Sequence, residues 1–386
     1  MSNAQPAASA LLQAALRQRV IEVKQALALR HILVGLGTDV VGLRTRLLEN
    51  PTALDDAILV RLLELLPPAG DVPAHDAPFY PLARLGSGPT GVSWLALGVT
   101  GLVVAKVVHP ALLPGAGDAE RLLARLQALC GGGHRYLVNY LHAVRNPDGG
   151  VALLCEYRQG RDCWQRAAAK GLASEARALT ILRQAAKGLA VLHHDRGCHG
   201  DLHPRNVLLD ADGRAALGDY ALCGDGDLPH PRPGWGAGAL ARHAWAAPEA
   251  HGDQPRLAPE GDLYSLGCIG YWLMAGAAPF SGSPEQQLQQ HQGADRPNVR
   301  ELAPGVSELT AKTLLKMMQI DPAARYHDAR SLVHSLERNL DQLDQARVGT
   351  GVIATPSALE RRETRDLRDD SGDGEAASSL VLMEPP

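Results

Sequence analysis

The stretch His199-Gly-Asp201-Leu-His203-Pro-Arg-Asn206, followed 18 residues after Asp201 by Asp219 in Leu-Gly-Asp219-Tyr220-Ala221, decides how the chain is read. Asp201 offers a carboxylate that can accept a hydrogen bond from a hydroxyl nucleophile. Asn206 and Asp219 offer an amide oxygen and a second carboxylate, hard oxygen ligands suited to Mg²⁺ beside phosphates. His199 and His203 stand at i, i+4, but a metal pair at that spacing needs a helix, which Gly200 and Pro204 oppose.

Two features upstream have the same chemical character. Gly86-Ser-Gly88-Pro-Thr-Gly91 has GxGxxG spacing, and its missing side chains let backbone amides approach a polyphosphate. Val-Ser-Trp-Leu-Ala and a second β-like run follow it instead of a helix, so a glycine-rich hairpin lid fits better than a dinucleotide-binding turn. The second run ends Val103-Val-Ala-Lys106, a lysine whose β-branched neighbours strip its water and oblige it to find an anion. A charge pair at about 4 Å is worth about 1 kcal/mol in water and about 4 kcal/mol at an effective dielectric near 20. Phosphate oxygens and the carboxylate of Glu120 are the candidate partners.

The set of motifs resembles the eukaryotic-type (Hanks-type) protein kinases, in their bacterial Ser/Thr branch. Ala247-Pro-Glu249, Asp262-Leu-Tyr-Ser-Leu-Gly267 and Asp321-Pro-Ala-Ala-Arg325 fall in the family's order, and the resemblance runs from about Phe79 to Asn339. It implies an α+β, two-lobed fold, with a small antiparallel β lobe and a larger helical lobe. It also implies a set of roles. Gly86, Gly88 and Gly91 would cover the phosphates of ATP, and Lys106 would hold the α and β phosphates while paired to Glu120. Asp201 would be the catalytic base, with Asn206 and Asp219 as the Mg²⁺ ligands. Glu156 and Tyr157 would form the hinge that meets adenine, Cys155 the gatekeeper, and Ala105 and Leu208 the two sides of the ring's slot. Glu249 and Arg325 would pair to brace the helical lobe. The implied activity is transfer of the γ-phosphate of ATP to Ser or Thr hydroxyls of proteins, the chain itself included, with Thr364 and Ser371 as candidate sites.

Departures from the family pattern shape the expectation. Gly200 replaces the common Arg between His and Asp, and no Ser or Thr occurs from Tyr220 to Glu249. The activation segment is therefore expected to work without phosphorylation. His203 stands where Lys is usual, with Arg242 near the place of its usual Thr contact, Ala221 replaces a glycine, Ser93 an adenine-packing Val, and Arg205 a frequent Glu. The alternatives are a pseudokinase acting as a nucleotide-binding scaffold and, from the HGDLHPxN wording, a small-molecule kinase.

The rest of the chain frames this unit. With 386 residues, 38 basic and 42 acidic side chains and a net charge of -4, the chain lacks the basic excess of a nucleic-acid binder. Apolar steps at Leu12, Leu16, Val20, Val23 and Leu27 predict a helix, with further helices over Val40–Leu48 and from Pro51. Residues 1–77 are read as a small N-terminal helical module and linker, a candidate dimer or partner contact; 78–340 as the kinase unit; and 341–386 as a mostly disordered tail. Leu263–Pro284 is uncharged, but its glycines and prolines favour a buried helix over a membrane span. Six dispersed cysteines and no export signal predict a cytoplasmic setting.

Overall fold

The computed structural model describes residues 79–220 and 244–349, apart from short gaps at 89, 99–100, 114, 116, 147–149, 159, 196 and 252–256, together with scattered positions between 12 and 29. The small lobe is an antiparallel sheet of β1 (Tyr80–Gly88), β2 (Gly91–Gly98), β3 (Gly101–Val108), β4 (Tyr140–Arg145) and β5 (Val151–Glu156). The strands lie in the order β1-β2-β3-β5-β4. Helix α1 (Asp118–Ala128) packs on β4 and β5 through Leu122 and Leu126, both buried. The period-two alternation of β3 sorts its side chains. Val103 and Ala105 join Ala96 and Leu154 in a small cluster on one face, whereas Val104 packs toward the main core.

The large lobe begins with β6 (Gly160–Asp162), α2 (Cys163–Lys170) and α3 (Glu175–Asp195). Strands β7 (Val207–Asp210) and β8 (Ala215–Leu217) form a second antiparallel sheet with β6, and the loop between α3 and β7 carries Asp201. Helices α4 (Pro259–Ala275), α5 (Pro284–Gln292), α6 (Glu308–Met317) and α7 (Ala329–Gly349) complete the lobe.

The uncharged stretch is a buried helix as far as Ala275, and its later glycines and prolines lie beyond that end. Every residue of α4 from Asp262 to Met274 is buried, and Gly276, at φ 77°, closes it with its N–H on Trp272 O. A Cβ at Gly270 would lie 2.7 Å from both Leu182 and Leu314, so this glycine lets α3 and α6 close on α4. Among the described residues no helix is long and apolar enough to cross a membrane.

Two sequence expectations need correction. The first N-terminal helix is broken: Leu12–Leu16 and Gln25–Leu29 contain helical residues, but Ile21 and Glu22 do not. Glu22 N donates to Gln25 Oε1 at 2.9 Å while Glu22 O accepts from Ala26 N, so a new helical turn starts there. At the other end, α7 passes the expected boundary at 340 and continues to Gly349. The helices expected at 40–48 and from 51, the linker 67–78, Ala221, Arg242 and the tail from 350 lie outside the described residues.

Candidate active site

The loop carrying Asp201 is pinned from below by one buried carboxylate. Asp262, at the start of α4, accepts from the backbone N–H groups of His199 (2.6 Å) and Gly200 (2.9 Å) and from His193 Nε2 (2.9 Å). The His199 ring, fully buried, donates from Nε2 to Gly218 O at 2.9 Å and accepts from Asp201 N at Nδ1. These partners assign the Nε2–H tautomer and tie the Asp201 loop to the Asp219 loop. Gly200 sits at φ 74°, which an arginine would adopt only with strain. Asn206 Nδ2 donates to Asp201 O at 2.8 Å, so two expected site residues hold each other. His203 Nδ1 accepts from Arg205 N, and its Nε2 lies 3.9 Å from Asp201 Oδ2.

Asp219 is the described non-glycine residue with positive φ, 63°, a conformation that aspartate adopts more readily than bulkier side chains. Its Oδ2 lies 2.8 Å from Lys106 Nζ, and Lys106 is itself buried. Burial works to raise the Asp219 carboxyl, but the charge and hydrogen bond of Lys106, with the nearby His203 and His199, together outweigh it and hold the group below the usual carboxylate range. Tyr220 follows immediately, buried against Tyr140 at 4.4 Å between ring centroids, with its hydroxyl donating to Val138 O at 2.7 Å.

Glu120 is not where the sequence put it. It is exposed and accepts from Arg145 Nη2 at 2.9 Å, while Lys106 pairs with Asp219. The cause is helical phase. At about 100° per residue, Glu120 lies on the side of α1 away from Leu122 and Leu126, the residues that anchor the helix to the sheet. Ala105 also needs correction as an adenine contact. It is opposite Trp94 and Leu154 on the far face of the sheet from Lys106, and Val104, opposite the gatekeeper Cys155, shares the face of Lys106. Ser93 is opposite Lys106 and thus on that same face.

The glycine loop divides by role. A Cβ at Gly91 would sit 2.1 Å from Val107 O, so this glycine is required by the close approach of β2 to β3. Gly86 and Gly88 face open space, with no atom within 4 Å of a built Cβ, which leaves room for a polyphosphate. Leu208 lies half-buried on β7, close enough to Gly218 that a Cβ there would meet its Cδ1 at 3.8 Å.

The hinge is stiffened by residues that sequence reasoning missed. Glu156 accepts from Asn139 N (3.0 Å), Asn139 Nδ2 (3.1 Å) and Arg158 Nε (2.6 Å). Arg158 also donates to Arg135 O and Leu137 O. The Glu156 side chain is thereby occupied, and Tyr157 beside it is exposed. Spacing gives no signal for Asn139, whose side-chain partner lies 17 residues away, and for Arg158 it offers Glu156, two residues before it, but not the carbonyls 21 and 23 residues away.

The expected brace is present. Arg325 reaches Glu249 through two hydrogen bonds, Nη1 to Oε1 at 2.6 Å and Nη2 to Oε2 at 2.8 Å. Its remaining donors go to Gln319 O, Glu260 O and Ile320 O, and its guanidinium lies over the Tyr264 ring at 4.9 Å.

The donor set fits Mg²⁺. Asp219 is held ionised, and the bond from Asn206 Nδ2 to Asp201 O leaves Oδ1 as the amide atom available to a cation. The arrangement can therefore hold a metal and polyphosphate beside a carboxylate base.

Residues 80–336 match the family described as "Protein kinase domain". The chain is 28% identical over 288 residues to "Serine/threonine-protein kinase pkn2" of Myxococcus xanthus, covering 72% of this chain and 34% of that protein. It is 26% identical over 256 residues to "Serine/threonine-protein kinases PknA" of Corynebacterium glutamicum, covering 64% and 53%. This chain thus spans about a third to a half of these longer relatives' length. The PknI kinase domain of M. tuberculosis superposes with a TM-score of 0.54 at 20% identity, over 69% of this chain and 96% of that one, a likeness of fold. Motif order, site geometry and family match agree, and the chain belongs to the protein kinase family.

Proposed function

We propose that this protein is an ATP- and Mg²⁺-dependent kinase that transfers the γ-phosphate of ATP to Ser or Thr hydroxyls of proteins, itself among them. The observation that carries the reading is the hydrogen-bonded unit of Asp201, Asn206 and His199 on the Asp262 anchor, tied through Gly218 O to the residue before Asp219, which itself pairs with Lys106. Asp201 accepts the hydrogen bond of the acceptor hydroxyl and orients it. Lys106 holds phosphate oxygens at the end of β3, and Gly86 and Gly88 admit them. Bound at Asn206 and Asp219, Mg²⁺ would supply charge neutralisation for the transferring group.

Control without activation-loop phosphorylation belongs to the same reading. Tyr220 is the first hydroxyl after Asp219, and it is buried and hydrogen-bonded to Val138 O, out of reach of a modifying enzyme. The reading takes 78–349, to the end of α7, as the kinase unit and 1–77 as a helical module available for partner or dimer contacts, in a cytoplasmic setting. Incubating the full chain with labelled ATP and Mg²⁺ beside Asp219→Asn tests it: label present in the native chain and absent from the variant is the expected result.

One observation favours a second reading, a nucleotide-binding scaffold: Glu120 sits on Arg145 and leaves Lys106 to Asp219. Thermal stabilisation by nucleotide with no label transfer would support it. The Glu249–Arg325 brace behind the Ala247-Pro-Glu249 segment speaks against a small-molecule kinase.

A further inference from the structure

Three of the chain's five tryptophans form one column that ends beside the catalytic loop. Trp245 meets Trp272 edge to face, with ring centroids 6.0 Å apart, in the buried base. Trp272 stacks on Trp164 at 5.3 Å and 3° between planes, and Trp164 emerges with 42% of its surface exposed. The guanidinium of Arg205 lies over the Trp164 ring, 5.7 Å from its centroid. Arg205 is exposed on the 3₁₀ turn Pro204–Asn206, four residues from Asp201 and next to Asn206. Arg161 and Arg166 flank Trp164 in sequence. The charge of Arg205 also acts on the carboxyl of Asp162 at the end of β6. Asp162, the nearest acid in sequence, uses its Oδ1 to cap α2 through Gln165 N at 2.7 Å.

A guanidinium stacked on a fixed aromatic ring is pre-oriented, so less side-chain entropy is lost when it takes a carboxylate. We propose that Arg205, seated on Trp164 at the rim of the catalytic loop, selects hydroxyl acceptors flanked by acidic residues, and that its occupant is the chain's own Asp369-Asp370-Ser371-Gly-Asp373-Gly-Glu375 segment. This rests on the kinase reading above. The charges are complementary: four carboxylates, Asp369, Asp370, Asp373 and Glu375, lie within four residues of Ser371. The reach is sufficient, because the 371 - 349 = 22 residues beyond α7 can extend over about 70 Å. A unit of the 257 residues from 80 to 336 has a radius of gyration of about 18 Å. In the transfer, Ser371 Oγ bonds to the γ-phosphorus as the bond to the β,γ-bridging oxygen breaks, ADP leaves, and the hydroxyl proton passes to Asp201.

The test has two arms on the full chain. The first measures fluorescence anisotropy of a labelled peptide spanning residues 364–378, without nucleotide, on a chain carrying D369N, D370N, D373N and E375Q to remove its own competing segment. Adding Arg205→Glu should weaken binding about tenfold, adding Arg205→Gln should weaken it less, and raising the salt should narrow the differences. Equal binding in all three overturns the subsite. The second arm maps phosphate by mass spectrometry after incubation of the native chain with ATP and Mg²⁺. Phosphate on Ser371, reduced relative to other sites by Arg205→Glu, is the expected result. Phosphate at other sites with none on Ser371 overturns the occupant. A chain with no phosphate anywhere fails the kinase reading, and the anisotropy arm then decides the subsite by itself.

Discussion

Lys106 Nζ lies 2.8 Å from Asp219 Oδ2, which joins the β lobe's central strand to the segment that follows β8. This contact favours the charged form of the carboxylate proposed to hold Mg²⁺. Asp219 is held below the ordinary carboxylate range, so the pair contributes stability above that range and loses it as pH falls through the lowered value. Urea midpoints measured between about pH 5 and pH 2 should therefore fall less steeply for Asp219→Asn than for the native chain.

The exposed position of Glu120 gives an ordering of variants. Lys106→Met removes the cation that meets Asp219 and is proposed to hold phosphate, whereas Glu120→Gln removes the partner of Arg145. Steady-state rates with labelled ATP should fall far more in Lys106→Met than in Glu120→Gln. Equal losses would show that Glu120 leaves Arg145 for Lys106 during turnover.

The brace between Glu249 and Arg325 is a buried, fully hydrogen-bonded ion pair. Glu249→Ala leaves the guanidinium without its counter-charge and should lower unfolding free energy by about 3–5 kcal/mol, read by chemical denaturation. A loss under about 1 kcal/mol, the size of a surface pair, would contradict the burial of this pair.

Asp262 touches no reactant, yet it fixes the backbone of His199 and Gly200. Asp262→Ala should slow transfer by about a hundredfold through misplacement of Asp201 while changing nucleotide affinity much less. Parallel kcat and nucleotide-binding measurements separate the two effects.

Much of this site could be read from the sequence because its residues lie in short runs whose chemistry is local. Asp201 and Asn206 are five apart and hold each other, and the uncharged run around Gly267 and Gly270 became α4 through its own composition. What escaped was orientation and long-range contact. The distance from Lys106 to Glu120 along the chain says nothing about the rotation of α1, which Leu122 and Leu126 determine. Ala105 was assigned to the wrong face by one residue, and in a strand one residue reverses the face. The Trp164–Trp272 stack joins residues 108 apart, beyond any periodicity. The break at Ile21–Glu22 falls within an apolar stripe that reads as continuous.

The central claim is that Asp201 orients a hydroxyl for phosphoryl transfer. A single-turnover measurement with labelled ATP and Mg²⁺, comparing the native chain with Asp201→Asn, tests it most directly. The account predicts transfer to Ser or Thr in the native chain, and at least about a hundredfold less in the variant with nucleotide binding retained. Equal transfer by both chains, or nucleotide binding by both with no transfer by either, would contradict it.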